Sequence, residues 1–169
     1  MITIRPATTD DHDAIWDIFH RVVRGGDTYA FLPETGRAEA LAYWLSPPVQ
    51  TWVAEREGRV VGTYIMRPNQ PGLGAHVANA SYMVHPDAQG QGIGHALGRH
   101  SLRMAREAGF LAMQFNLVVS SNAAAVALWQ KLGFHIVGVL PHAFRHQQLG
   151  FVDAYVMYQW LDEKGKPLA

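Results

Sequence analysis

Apolar residues recur along the chain with two periodicities, which divide it into strands and helices. Alternating or continuous apolar runs bounded by Gly or Pro predict seven strands; they cover residues 2–5, 51–56, 60–66, 76–84, 111–119, 134–140 and 152–160. Helical spacing predicts four helices near 10–23, 37–45, 93–108 and 122–132. The polar segment from His142 to Gly150 is predicted to be a loop. This order indicates an α/β (α+β) fold, with a mixed central sheet flanked by about four helices.

Length and composition narrow the class of protein. The chain has 169 residues, of which 49% are hydrophobic, and a single globular domain over residues 1–169 is expected. Its 14 basic and 14 acidic residues balance, which disfavours a nucleic-acid partner. No apolar stretch is long enough for a membrane helix, and the start of the chain lacks a secretory signal pattern, so we expect a cytoplasmic protein. The absence of cysteine excludes a cysteine nucleophile.

Three glycines at alternate positions, Gly90, Gly92 and Gly94, lie between the fourth predicted strand and the third helix. Glycine allows close backbone approach, and the first N–H groups of a helix lack partners within the helix. The two features together favour binding of a phosphate or pyrophosphate over a plain tight turn. The glycine spacing fits neither the dinucleotide fingerprint nor the Walker loop.

The pattern Gln89-x-x-Gly92-x-Gly94 resembles the signature of the GNAT superfamily of acetyl-CoA-dependent N-acetyltransferases. Asn122-x-x-Ala125 with the later Gly133-Phe134, and Gly150…Asp153…Met157, are similar to two further family segments in the family's order. The resemblance extends over residues 82–157 and implies the GNAT acyl-CoA N-acyltransferase fold. It also implies that acetyl-CoA is the cosubstrate.

The resemblance implies where acetyl-CoA binds. The backbone of Met83 and Val84 would pair with the pantetheine arm, and a backbone N–H of either residue would stabilise the oxyanion. Asn122 matches a coenzyme A contact, although it also suits a helix N-cap. Residues of the glycine-rich turn would bind the pyrophosphate; they are Gln89, Gly90, Gln91, Gly92, Ile93, Gly94 and His95.

Two positions depart from the family pattern. Trp129 stands where many members carry a tyrosine that protonates the leaving thiolate, and an indole N–H lacks the acidity for that role. We interpret Trp129 as a packing residue beside the cofactor. The fourth predicted strand has no glutamate to act as general base. His76 has a suitable ordinary pKa, yet its position also fits a surface histidine at a strand start, so the base stays open.

Other histidines are weaker candidates for the base; they are His85, His95, His142 and His146. The spacing of His142 and His146 fits two metal ligands, but no third ligand is evident and a metal site needs at least three. We therefore predict no metal.

Two asparagines are candidates for acceptor binding. Asn79 and Asn116 interrupt apolar runs on the strands that flank the family's cofactor cleft, so they are expected either to grip the substrate or to form a structural network. Tyr29 and Phe31 could shape the acceptor pocket. The segments around both asparagines are also similar to yeast proline-analogue (azetidine-2-carboxylate) N-acetyltransferases. That similarity suggests a small amino or imino acid as substrate.

The sequence thus favours direct acetyl transfer from acetyl-CoA to a small-molecule amine. Two alternatives remain: a protein or peptide N-acetyltransferase, and a non-catalytic acyl-CoA-binding sensor domain, which the missing tyrosine and glutamate would suit. A homodimer is common in the family. The segment from Val60 to Gln130 contains four arginines and two acidic residues, and this excess of positive charge suits an anionic cofactor. The arginines are Arg67, Arg99, Arg103 and Arg106.

Overall fold

The centre of the molecule is a seven-stranded mixed sheet. The computed structural model describes residues 1–162. The strands are β1 (Thr3–Pro6), β2 (Gln50–Arg56), β3 (Arg59–Pro68), β4 (Val77–Val84), β5 (Ala112–Val119), β6 (His135–His146) and β7 (Gly150–Trp160). Their spatial order is β1-β2-β3-β4-β5-β7-β6, with β4 and β5 parallel and every other pair antiparallel. The predicted mixed sheet is confirmed. The last part of the predicted domain, residues 163–169, lies outside the described residues.

In the described part of the chain, four α-helices cover the two faces of the sheet. They are α1 (His12–Val23), α2 (Arg37–Leu45), α3 (Ile93–Glu107) and α4 (Ala123–Lys131). Because side chains alternate along a strand, neighbouring residues of β3 enter different cores. Ile65 packs with α1 and α2, whereas Tyr64 and Met66 pack with α3 and α4. Within residues 1–162, no helix has the length and apolar character needed to cross a membrane.

β4 and β5 separate soon after they begin. Their ladder consists of Val77 opposite Ala112 and Ala78 opposite Met113, although both strands continue for several more residues. Just beyond the last pair, Asn79 Nδ2 donates to the Gln114 carbonyl at 3.0 Å, so a side chain bridges the point of separation. The sheet therefore contains a cleft that widens toward the carboxyl end of β4, where the glycine-rich turn follows.

The prediction of a loop from His142 to Gly150 is wrong. β6 continues to His146, which pairs with Gly150 at the start of β7, and only a three-residue connection separates the strands. His146 Nδ1 accepts hydrogen bonds from the backbone of Gln148 and Leu149 in that connection. A bulge between Leu140 and Phe144 breaks the side-chain alternation, and this irregularity conceals the strand in the sequence.

Candidate active site

The gap between β4 and β5 forms a cavity of ≈ 440 Å³. Residues 79–84 of β4, residues 115–119 of β5 and aromatic residues of other segments make up most of its lining. Tyr29 and Phe31, on the segment between α1 and α2, line the cavity, and their contact with an acceptor stays a prediction. Phe31 packs against Phe19 and Tyr43, with ring centroids 4.9 Å apart in both contacts. The cavity therefore has one apolar wall fixed by the helices.

The free edge of β4 provides the backbone donors. The Tyr82 N–H donates to the Tyr29 hydroxyl at 2.9 Å, and that hydroxyl donates to the Tyr82 carbonyl. In contrast, the His85 N–H donates to the Val61 carbonyl on the β3 side. Because backbone groups alternate in direction along a strand, Tyr82 and Val84 face the cleft and Met83 faces β3. The Met83 N–H therefore points away from the cleft, which does not fit the oxyanion role expected of it, whereas the Tyr82 N–H, which the sequence alone did not single out, points into the cleft.

Tyr29 and Tyr82 are both held in the neutral form. Burial raises the pKa of each phenol well above its ordinary value. The Tyr82 hydroxyl bonds to Ser101 Oγ at 2.6 Å beneath the cleft, away from its own backbone N–H. The Tyr29 hydroxyl therefore remains a hydrogen-bond donor over the whole range of ordinary pH.

The glycine-rich turn has the geometry of an anion cradle. Gly90 and Gly92 have φ values of 72° and 80°, and a Cβ on either would meet no heavy atom within 4 Å. Gly92 is the N-cap of α3, with no side chain capping the helix, so the first N–H groups of α3 are open. Backbone donors in an uncrowded left-handed turn fit the pyrophosphate of acetyl-CoA. Gly94 instead allows α3 to approach α4, because its Cβ would lie 3.3 Å from Leu128.

The other expected cofactor residues of this region fall into two groups. Gln89 lines the cavity, whereas Gly90 to His95 lie along the turn and the first turn of α3, outside the cavity lining. The Gln91 side chain accepts a hydrogen bond from Arg56 and donates to the Asp87 carbonyl. Gln91 therefore stabilises the turn and holds a guanidinium beside it.

Three of the four arginines between Val60 and Gln130 make their contacts with residues outside the glycine-rich turn. Arg67 lines the cavity, Arg103 pairs with Glu107, and Arg106 donates to the carbonyls of Leu102 and Leu161. Arg56, which lies outside that segment, is the arginine bonded to the turn. The sequence alone did not single out Arg56, because the fold rather than the sequence brings it next to the turn.

Trp129 and Asn122 line the cavity from α4. Trp129 is buried, with ring centroids 4.6 Å from Tyr82 and 4.9 Å from Phe115, and these contacts fit the interpretation as a packing residue. The Asn122 side chain accepts from the Ala125 N–H at 3.3 Å, so the helix-cap interpretation is confirmed. Its position in the lining is also compatible with a coenzyme contact.

Asn79 and Asn116 both line the cavity but do not bond to each other. The amide nitrogen of Asn79 donates to the Gln114 carbonyl of β5. Asn116 is exposed; it donates to Asn69 Oδ1 at 2.8 Å and accepts from the Gln114 side chain at 3.0 Å. A structural network at this end of the cleft is therefore present, and substrate contact stays a prediction.

The structure brings none of the candidate histidines into the cavity lining. His76 is exposed just before β4, and His85 is buried with Nε2 3.1 Å from Asp17. His142 lies in the bulge of β6, and its backbone N–H donates to Asp153. Residues 1–162 contain no group of three metal-binding side chains. Among the residues that line the cavity, none is a carboxylate or a histidine.

Comparison with protein families assigns the chain to one family. The model of the acetyltransferase (GNAT) family matches residues 12–134, so the chain belongs to this family. The described domain accordingly has the architecture of an acetyl-CoA-dependent acyltransferase, as the resemblance implied.

The chain is also similar to solved structures of acetyltransferases. A GCN5-related N-acetyltransferase from Kribbella flavida is 43% identical, with a TM-score of 0.90 over 95% of this chain and 98% of that one. The putative acetyltransferase yncA from Salmonella typhimurium, solved with acetyl-CoA, is 27% identical, with a TM-score of 0.85 over 100% and 99% of the chains.

Two curated relatives share 33% identity with the chain. N-acetyltransferase aca1 of Schizosaccharomyces pombe matches over 68% of this chain and 55% of its own length. L-amino acid N-acyltransferase MnaT of Escherichia coli matches over 54% of this chain and 52% of its own length. The chain thus spans about half the length of these two relatives.

Proposed function

We propose that the protein transfers the acetyl group of acetyl-CoA to the amine of a small molecule, a free amino or imino acid, by direct attack. The observation that carries this proposal is the free edge of β4, where Tyr82 and Val84 present backbone groups inside the cavity. An acyl acceptor would enter the same cavity beside that edge. The similarity to an L-amino acid N-acyltransferase supports the acceptor class.

The reaction follows from the groups present. The amine nitrogen attacks the thioester carbonyl carbon, the C–N bond forms, and the developing oxyanion takes the Tyr82 N–H as its donor. The C–S bond then breaks, and the sulfur keeps the electron pair. A thiolate with an ordinary pKa near 8.5 is a good leaving group, so it needs no strong acid and can take its proton from water. Because no carboxylate or histidine lines the cavity in the described chain, water also accepts the proton from the amine.

The glycine-rich turn and the cavity have separate duties in this scheme. The turn binds the pyrophosphate through backbone N–H groups, and the cavity walls hold the pantetheine arm and the thioester beside the edge of β4. The Tyr82 N–H donates to the Tyr29 hydroxyl until the thioester oxygen replaces that hydroxyl as its acceptor. Trp129 supplies packing rather than a proton, in keeping with its buried contacts to Tyr82 and Phe115.

The test is thiol release from acetyl-CoA measured across a panel of amines that includes amino acids, polyamines and basic peptides. We expect turnover with amino or imino acids. Turnover only with peptides would show that the acceptor is a peptide rather than an amino or imino acid. Acetyl-CoA binding without turnover would indicate a non-catalytic acyl-CoA-binding sensor domain.

A matched pair of variants tests the coenzyme cradle. Gly92→Val fills the space where phosphate would bind, and Gly58→Val, in the β2–β3 turn, meets the same open surroundings at a φ of 73°. Both substitutions strain the backbone, so their effects on folding stability are comparable. We expect Gly92→Val alone to weaken acetyl-CoA binding, by about 10²-fold. Equal affinity in the two variants would contradict the cradle.

A further inference from the structure

One charged side chain stands out in the cleft. Arg67, on β3, is the only charged residue among those that line the cavity within residues 1–162. Its Nη2 donates to the Tyr43 hydroxyl at 2.8 Å, and its guanidinium carbon lies 5.0 Å from the centroid of the Tyr43 ring. Tyr43 itself packs against Phe31. The guanidinium is therefore held in a fixed position at the cavity wall by an anchored aromatic ring.

Arg67 lacks the partner that the comparable arginines have. In the described chain three arginines are half-buried, namely Arg5, Arg56 and Arg67. Arg5 pairs with Asp11, and Arg56 lies 3.8 Å from Glu57, but no carboxylate of residues 1–162 forms an ion pair with Arg67. A partly desolvated cation without a counterion is unfavourable unless a ligand supplies the missing charge.

Two other polar side chains line the same cavity as Arg67. The Thr28 hydroxyl lines the same cavity, is buried, and has no hydrogen-bond partner in the described part of the chain. Asn79 lies directly opposite Arg67 in the β3–β4 ladder and directs its amide nitrogen to β5. Arg67 and Asn79 form a polar corner of the cavity that the Thr28 hydroxyl also lines, and a few fixed polar groups of this kind set the orientation of a ligand.

The position of this corner separates it from the coenzyme phosphates. Along β4, Asn79 precedes Tyr82 by three residues, which is about 10 Å at the rise of a strand. The glycine-rich turn lies beyond Tyr82 in the opposite direction, after the end of β4. The phosphates and Arg67 thus lie on opposite sides of the Tyr82 peptide, so Arg67 is at the acceptor end of the cleft.

We propose that Arg67, positioned by Tyr43, binds the carboxylate of the acceptor and makes the protein selective for amines that carry a carboxylate. The planar guanidinium can hold a carboxylate through two parallel hydrogen bonds, which orients the substrate as well as attracting it. The amine of the bound acid then points toward the Tyr82 peptide. This inference rests on the proposed function and specifies which amines that function accepts.

The experiment compares acceptors that differ only in the carboxylate. The values of kcat/KM are measured for proline, prolinamide and pyrrolidine, and for alanine and alaninamide, with wild type, Arg67→Gln, Arg67→Lys and Arg59→Gln. Arg59 is the matched control because it lies on the same strand but is exposed, outside the cavity lining. Acetyl-CoA affinity of each variant shows that the coenzyme site is folded.

The expected result is a preference of wild type for the acids of about 10²-fold, the size of a charge-assisted hydrogen-bonded pair. Arg67→Gln should remove that preference mainly through the KM of the acids and leave the amides unchanged. Arg67→Lys should keep part of the preference, because it retains the charge without the planar fork, and Arg59→Gln should behave as wild type.

Two outcomes overturn the inference in distinguishable ways. Turnover of acids and amides at equal rates, or an equal loss for both in Arg67→Gln, would refute carboxylate binding and leave the acetyltransferase proposal intact. Bound acetyl-CoA with no turnover of any small amine would refute the proposed function, and the carboxylate site with it.

Discussion

The Tyr29 hydroxyl is hydrogen-bonded to both the backbone N–H and the backbone carbonyl of Tyr82 at the edge of β4. An N–H that serves an oxyanion must become available when the thioester enters, so the hydroxyl and the thioester oxygen compete for one donor. A phenol with a raised pKa suits this position, because it stays neutral and can move without leaving a charge behind. In the proposed mechanism, the Tyr29 hydroxyl must therefore leave the Tyr82 N–H before the thioester oxygen can bind there.

Replacing Tyr29 by phenylalanine tests this competition. Tyr29→Phe removes the hydroxyl and keeps the ring, so acetyl-CoA should bind several-fold more tightly, while the free protein should lose about 1 kcal/mol of stability. Calorimetric titration and thermal unfolding measure the two effects. Tyr158→Phe, on β7 outside the cavity lining, is the control. Unchanged or weaker acetyl-CoA affinity would show that the Tyr29 hydroxyl is not displaced.

Asn79 and Asn116 are expected to contribute differently to folding stability. Asn79→Ala removes the side-chain bridge between β4 and β5, so it should cost about 1 kcal/mol of stability and raise the acceptor KM. Asn116→Ala removes bonds between exposed side chains and should leave stability within about 0.5 kcal/mol. Steady-state kinetics and urea unfolding separate these effects. An unchanged acceptor KM in both variants would assign both residues purely structural roles.

At the scale of the elements, the cleft depends on how closely α3 and α4 approach each other behind it. Gly98 of α3 permits that approach, since a Cβ there would lie 2.5 Å from Leu132 Cδ1 and 3.1 Å from Trp129 Cζ3. Trp129 in turn lines the cavity and contacts Tyr82 and Phe115. The packing of two helices therefore fixes one wall of the site.

The substitution Gly98→Ala should reverse the usual effect of alanine in a helix. Alanine normally stabilises a helix interior relative to glycine by up to about 1 kcal/mol. Here the methyl group should overpack the helix interface and destabilise the protein by about 1–3 kcal/mol. Urea unfolding measures the change, and Gly36→Ala, whose Cβ would meet nothing within 4 Å, is the control. A more stable Gly98→Ala protein would refute the packing argument.

At the scale of the whole molecule, local patterns predicted the elements but not the contacts between them. The number and order of strands and helices followed from periodicity, because burial on a sheet or helix face dictates that pattern. The direction of the Tyr82 and Met83 backbone groups depends on the β3–β4 register, which the sequence does not display. Likewise, Arg67 and Asn79 became neighbours only through that register. The part of the candidate site that lies in one local turn could therefore be predicted from the sequence. The part that depends on strand pairing could not.

The link between β1 and the start of α1 predicts how the whole fold responds to acid. Asp11 is buried, accepts from Arg5 at 2.8 Å and from the Thr8 N–H, and these bonds lower its pKa to about 2. Because the unfolded chain binds this proton near pH 4, the bonds stabilise the fold above that pH, and the contribution is lost as the pH falls from about 4 to about 2. Asp11→Asn should therefore lose about 2 kcal/mol at pH 7 and much less at pH 2. Urea unfolding at both values, with the exposed Asp10→Asn as control, measures the difference. Equal destabilisation of Asp11→Asn at the two pH values would show that its charge is not what holds these elements together.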